Sequence, residues 1–232
     1  NLFMAGLWEV RKRETARLLL RAAERSNVGR RAVALAMRRL PRRAVARAAV
    51  ICVSDADLEV RALCVEALGR WAASSVPARR ELVRLAEDEQ AAVRAAAAEV
   101  LARYGFPKMG AVVETLAADR SAVVRAAVAQ GIGRSGGQGW ECLLERLAVD
   151  GVALVRMAAM RGLVGRGRGD LVRPACGDKE PSVRAAAAAA LEPEGEDDVR
   201  LLLDLSRDRD GSVVRGAAEA VIGLLRERGL DV

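Results

Sequence analysis

The stretch Asp88-Glu-Gln-Ala-Ala-Val-Arg94-Ala-Ala-Ala-Ala-Glu-Val-Leu101-Ala-Arg103 decides the fold, because its pattern comes back along the chain. An arginine follows a valine, alanines follow the arginine, and an aspartate stands six residues ahead. Copies read Asp55…Val60-Arg61, Asp119…Val124-Arg125, Asp150…Val155-Arg156 and Asp178…Val183-Arg184, with steps of 33, 31, 31 and 28 residues between the five arginines. Weaker copies flank them at Glu24…Arg30 and at Val214-Arg215, each 31 residues from its neighbour. A period near 30 residues is the signature of a solenoid built from one repeated supersecondary unit.

With each arginine at position zero, position +7 holds Met37, Leu68, Leu101, Ile132, Leu163, Leu191 and Ile222. Position +3 holds Val33, Cys64, Ala97, Val128, Ala159, Ala187 and Ala218. Positions −1, +3 and +7 lie four apart, which at 3.6 residues per turn is one apolar stripe of a helix. The aspartate is placed to cap that helix's N-terminus. A second amphipathic segment precedes each such helix, for example from Glu81, Ala111, Trp140 and Asp198. Breakers mark the joints: Pro77, Gly105 with Pro107, Gly136-Gly137, Gly165 to Gly169, and Pro193 with Gly195. The expected fold is all-α: an α-solenoid of about seven stacked helix-turn-helix repeats in a single domain spanning residues 1–232. Its basic N-terminal repeats cover 1–50 and its regular repeats 51–228, and each pair is marginal alone.

The pattern Asp…Val-Arg-x-Ala-Ala-x-x-Leu-Gly-Arg resembles the short HEAT-like repeat typified by the phycobilisome lyase family. Leu68-Gly69-Arg70 and Ile132-Gly133-Arg134 match its helix ending. The resemblance implies a solenoid whose second helices line a concave face, and it is compatible with lyases, adaptors and scaffolds alike.

Composition narrows the chemistry. Hydrophobic residues make up 52% but aromatics only 3%, so the apolar content is mostly Ala, Val and Leu. No apolar run reaches the roughly 18 residues a membrane span needs, and no signal-peptide pattern opens the chain. Starting at Asn1, the chain reads as a fragment or a processed product. Histidine is absent altogether, which removes the commonest general base and metal ligand. Cys52, Cys64, Cys142 and Cys176 show no CxxC spacing and read as reduced, buried residues of a cytoplasmic protein. No catalytic residue, metal site or cofactor is expected.

The repeated Asp and Arg read as structural, the aspartate capping and the arginine tying neighbouring repeats together. Glu66 and Glu99, four residues before Arg70 and Arg103, suit ordinary helix-surface pairs. Gly133-Arg-Ser-Gly-Gly-Gln-Gly139 precedes a helix, but no Gly-Lys-Ser or Gly-Lys-Thr follows it, so it reads as a joint and not as a phosphate loop. Arg168-Gly169-Asp170 spells an integrin-type tripeptide within another joint.

Two surfaces remain as candidates. On the presumed concave face, positions +1, +4, +5 and +8 form a low-relief strip of small residues, broken by Glu66, Glu99, Gln130 and Arg161, with Met157 and Met160 as adaptable apolar contacts. Such a strip suits a protein partner, unless the alanines merely reflect tight helix stacking. The second candidate is electrostatic. The first fifty residues hold 13 Lys or Arg against 3 acidic residues, whereas the whole chain is +7 and residues 51–232 carry −3. Arg13, Arg17, Arg21 and Arg25 recur every four residues as a helical stripe, and Arg42 and Arg43 follow. This is a solvated end cap or a site for an acidic partner, whether an acidic protein or nucleic acid. The leading expectation is a non-enzymatic protein-interaction scaffold. Nucleic-acid binding through the basic repeats is the alternative, and a bilin lyase subunit is a further one implied by the resemblance.

Overall fold

In a computed structural model of the chain, the residues described are Glu14, Leu18, Arg21, 29–33, 52–53, 55–73, 75–106, 108–135, 139–164 and 166–227. All regular structure among them is helical. Residues 29–33 are helical, followed by α1 (Leu58–Ala72), α2 (Val76–Leu85), α3 (Ala91–Tyr104) and α4 (Gly110–Ala117). Then come α5 (Ala122–Gly133), α6 (Glu141–Ala148), α7 (Ala153–Leu163), α8 (Gly169–Ala175), α9 (Pro181–Ala190), α10 (Glu196–Leu205) and α11 (Gly211–Glu227). The chain divides into two compact units, residues 1–116 and 117–232.

In the first unit α1 packs on α3, and α2 bridges both. In the second, α5, α7, α9 and α11 lie side by side as one layer, each touching the next. A second layer of shorter helices packs on them: α6 on α5 and α7, α8 on α7 and α9, and α10 on α11. This is the α-solenoid arrangement of stacked helical pairs. The expected stripe is what these layers bury. Val60, Cys64 and Leu68 on α1, Val93, Ala97 and Leu101 on α3, and Val124, Val128 and Ile132 on α5 are all essentially inaccessible. Leu82 and Leu85 in the first unit, and Leu143, Leu144 and Leu147 in the second, fill the opposing layer. Burying one leucine of this kind contributes about 1.5–3 kcal/mol.

The glycine of the Leu-Gly-Arg ending is required by helix proximity. A Cβ on Gly133 of α5 would lie 2.8 Å from the Gly162 Cα of α7, and one on Gly69 of α1 would lie 2.4 Å from Val100 Cγ1 of α3. Only a residue without a side chain lets the helices approach so closely.

The last copy runs one residue out of step. In the earlier copies the helix begins three residues before the arginine, as Ala91 does for Arg94. The final helix begins at Gly211, so Val214 takes the arginine's place and Arg215 falls one position beyond it. Burial agrees: Val213 and Ala217 are fully buried, whereas Val214 and Ile222 are half-buried and Ala218 is exposed. The stripe expected at Val214, Ala218 and Ile222 is therefore Val213, Ala217 and Val221. The cause is the missing aspartate six residues ahead of Arg215: Asp208 sets the turn instead.

Candidate interaction surfaces

The repeated aspartate does not cap the following helix. It sits two residues before the N-cap and folds the turn that leads into it. Asp88 Oδ1 accepts from Gln90 N at 2.9 Å, Asp119 Oδ1 from Ser121 N at 2.8 Å, Asp150 Oδ1 from Val152 N at 2.8 Å, and Asp178 Oδ1 from Glu180 N at 2.9 Å. Each is an aspartate hydrogen-bonding its own backbone two residues on. The N-caps themselves, Gln90, Ser121, Val152 and Glu180, make no side-chain cap bond. The exception is Asp57, which caps α1 through Glu59 N at 2.9 Å.

The arginine ties this turn to the next one. Arg156 Nη1 donates to the Asp150 carbonyl at 2.8 Å, within its own repeat. Its Nε and Nη2 donate to the two carboxylate oxygens of Asp178, in the next repeat, at 2.7 and 2.8 Å. Arg125 repeats this geometry with the Asp119 carbonyl and the Asp150 carboxylate, and Arg184 with the Asp178 carbonyl and the Asp208 carboxylate. Two parallel charge-assisted bonds plus a third to a carbonyl use the planar guanidinium fork, which lysine lacks. In the first unit Arg30 pairs with Asp55 in the same sense. The rung from Arg61 to Asp88 is stretched to 3.4 Å and leaves Arg61 Nε without a hydrogen bond.

The arginine fork holds the carboxyls of Asp150, Asp178 and Asp208 below the usual aspartate range, against the opposing effect of desolvation. The aspartates in turn push the guanidinium groups of Arg125, Arg156 and Arg184 up. These charges are spent on one another.

Further ties lie in the joints, where no period announces them. Arg173 on α8 forks onto Asp198 at the start of α10, at 2.6 and 3.0 Å, and Asp198 also accepts from Glu194 N. Arg166 reaches back to the carbonyls of Ile132 and Ser135. The Arg168 of the tripeptide is engaged by Asp170 and by Glu145 of α6, so that segment is tied down onto the fold.

The presumed partner strip is rearranged by the structure. Val65, Gly69, Ala95, Ala98, Ala102, Ala126, Ala129 and Met160 are buried, because positions +1, +4 and +8 lie largely at helix–helix contacts. Met160 in particular is 0% exposed and belongs to the core, so it is withdrawn from the contact surface. Position +5 faces outward in each copy described: Glu66, Glu99 and Gln130 are half-exposed, and Arg161 and Ala189 are exposed. Met157 is half-exposed at +1. Glu66 pairs with Arg103 of the neighbouring helix at 3.6 Å, rather than with Arg70 on its own. No hydrogen bond or ion pair among the described residues engages the side chain of Gln130 or Arg161. Apart from Ala189, the outward +5 positions are thus polar.

Of the basic stripe, Arg21 is exposed on a helix. Arg13, Arg17, Arg25, Arg42 and Arg43 lie outside the described residues. Cys52, Cys64 and Cys176 are buried as expected, but Cys142 is exposed, on the side of α6 away from Leu143, Leu144 and Leu147. No group of three or more potential metal ligands occurs among the described residues, and none of their helices is long and apolar enough to cross a membrane.

Comparison with protein families decides what these stacked pairs are. The family model described as HEAT repeats matches residues 47–133 and 140–223, well over half of the chain. The chain belongs to the HEAT-repeat family. The two matched stretches of HEAT repeats carry all five well-formed Asp…Val-Arg copies. No curated protein matches the sequence. Solved structures do: one is a crystal structure of an engineered protein from the Northeast Structural Genomics Consortium. It is 17% identical, covers 94% of this chain and 98% of its own, and has a TM-score of 0.39.

Proposed function

We propose that this HEAT-repeat chain is a non-enzymatic scaffold that holds a protein partner through the outward-facing +5 residues of the second helices within each unit. One observation carries the reading. Positions −1, +3 and +7 are buried in the regular copies, whereas position +5 is open in every one of them. The ladder uses the repeated Asp and Arg internally, so the variable +5 residues are what differs from repeat to repeat on that face. In the first unit they are Glu66 and Glu99. In the second they are Gln130 and Arg161, with Met157 beside them. Within each unit such residues offer spaced polar contacts to a partner, with specificity set by which charge stands in which repeat. The absence of histidine from the sequence supports a non-catalytic role.

Photo-crosslinking tests this. A benzophenone amino acid would replace Gln130, Arg161 or, as a control on the other layer, the exposed Leu203. The same adduct from positions 130 and 161, and none from 203, is the expected result. Adducts from 203 alone, or from none of the three in lysate of the source cells, would oppose the reading.

The charge polarity of the sequence favours a second reading, in which the basic first fifty residues bind nucleic acid. Duplex DNA and RNA titrated by fluorescence anisotropy would separate the two. Binding that persists near 150 mM salt and falls when Arg13, Arg17, Arg21 and Arg25 become serine favours it. Binding that vanishes with modest salt removes it.

A further inference from the structure

A groove of about 670 Å³ opens in the first unit between α2 and the turn that leads into α4. Its walls are apolar: Val76, Val83 and Met109 face into it, and Val76 is 51% exposed. Three cations, Arg79, Arg80 and Lys108, also line it. Arg79 is committed, since its Nη1 donates to the carbonyl of Ala72 at 2.6 Å and closes the end of α1. Among the described residues nothing engages the side chains of Arg80 and Lys108, and both are exposed.

The local chain explains the gap. Gly105 ends α3 in the left-handed conformation, and Phe106 folds back to stack on Tyr104, 5.5 Å between ring centres. Phe106 is buried by this, and the chain then leaves α3 and turns at Lys108 toward α4. Lys108 itself has φ 65°, and it is the only residue other than glycine with positive φ among those described. Glycine or asparagine would hold that turn with less strain. A lysine there costs conformational energy with no hydrogen bond or ion pair to its side chain among the described residues, which directs attention to that side chain.

From the groove, its two unengaged cations and the strained lysine, we infer that this site docks an acidic amphipathic peptide segment of a protein partner. An apolar side chain would sit against Val76, Val83 and Met109, and flanking carboxylates would meet Arg80 and Lys108. The volume lies within the range of ligand pockets, and Val76, Arg80 and Lys108 at its lining are exposed. Charge complementarity selects the occupant: the nearest carboxylate on α2, Glu81, is already paired with Arg84 at 3.0 Å, leaving the rim positive. The inference rests on the scaffold reading but concerns none of the +5 residues.

The test uses the full chain and a fluorescein-labelled helical peptide with Leu at i and i+4 flanked by Glu. Its companions carry Gln for Glu, or Ser for Leu. Saturable binding of the first peptide is expected, weakened about tenfold or more in either companion and in the Arg80→Glu/Lys108→Glu variant. Arg209→Glu, an exposed charge change elsewhere, should leave the affinity unchanged and so exposes any non-specific attraction. Lys108→Gly separates structure from recognition. It relaxes the turn, so the Tm should hold or rise while the affinity falls; a rise in Tm with unchanged affinity would overturn the inference. Equal binding of all three peptides would also overturn it, as would preference for phosphatidylserine vesicles over the peptide. If the peptide fails while crosslinks from positions 130 and 161 persist, the groove inference falls and the scaffold reading stands. If those crosslinks fail while the peptide binds as expected, the groove is a docking site and the +5 assignment alone falls.

Discussion

Replacing Arg156 by alanine removes the best-formed rung of the ladder, and the cost can be worked out from its contacts. Three hydrogen bonds disappear, two to the Asp178 carboxylate at 2.7 and 2.8 Å and one to the Asp150 carbonyl at 2.8 Å. Asp178 keeps only the Glu180 N–H as a donor. Breaking a fully buried pair and stranding one partner costs about 3–5 kcal/mol. Here the side chains are 10% and 13% exposed, so water recovers part of that for Asp178. The expected cost is therefore about 2–4 kcal/mol. Arg156→Lys keeps the charge but loses the fork, and should cost about half as much. Urea unfolding followed by helical ellipticity measures all of these, with Arg161→Ala as an exposed control expected within about 0.5 kcal/mol. A double-mutant cycle with Asp178→Asn, which retains an acceptor for Glu180 N, should return an interaction of about 1–3 kcal/mol. If Arg156→Ala costs no more than Arg161→Ala, the ladder does not hold the repeats together.

The shifted register of the last repeat makes Arg215→Ala nearly neutral, within about 0.5 kcal/mol, while Arg184→Ala costs about 2 kcal/mol; equal losses in denaturation midpoint would place Arg215 in the ladder after all. Gly133→Val forces a side chain against the Gly162 backbone and should destabilise by about 1–3 kcal/mol, read as a lowered Tm; an unchanged Tm would mean that α5 and α7 can separate freely. The lowered carboxyls of Asp150, Asp178 and Asp208 fix the sign of an acid effect. Their contribution is complete above the ordinary aspartate pKa of about 3.9 and is lost as pH falls through their lower folded values. The Tm should hold at mildly acidic pH and decline below about 4, and a Tm that falls already between neutrality and pH 5–6 would need another group, since the chain has no histidine.

The repeat, its helical period and the buried stripe were legible because they depend on residues that recur. Val60, Val93, Val124 and Val155 announce one another. The structural role of the Asp–Arg pair was legible for the same reason, yet its geometry was not. A six-residue spacing is compatible with capping or with a turn before the cap, and only the observed helix start at position −3 separates them. The slip at Val214-Arg215 was hidden because a valine–arginine pair survives there by coincidence, although the absent aspartate six residues ahead was its signal. Met160 looked like a surface contact because heptad-like spacing does not reveal how closely two helices approach. The equivalent +4 residue of α5, Ala129, lies against Gly162 of α7, so +4 is a helix-packing position and Met160 is buried like Ala129. Arg173 with Asp198, and the groove beside Lys108, lie in joints whose composition carries no period at all.

The central claim is that the repeated charges serve the fold while the variable +5 row serves the partner. One measurement tests it most directly: the affinity of the crosslinked partner for Arg156→Lys and for Arg161→Glu, with the Tm of each. The account predicts a lower Tm but intact binding for Arg156→Lys while it remains folded, and an unchanged Tm with binding lost for Arg161→Glu. Binding that follows Arg156 and ignores Arg161 would contradict it.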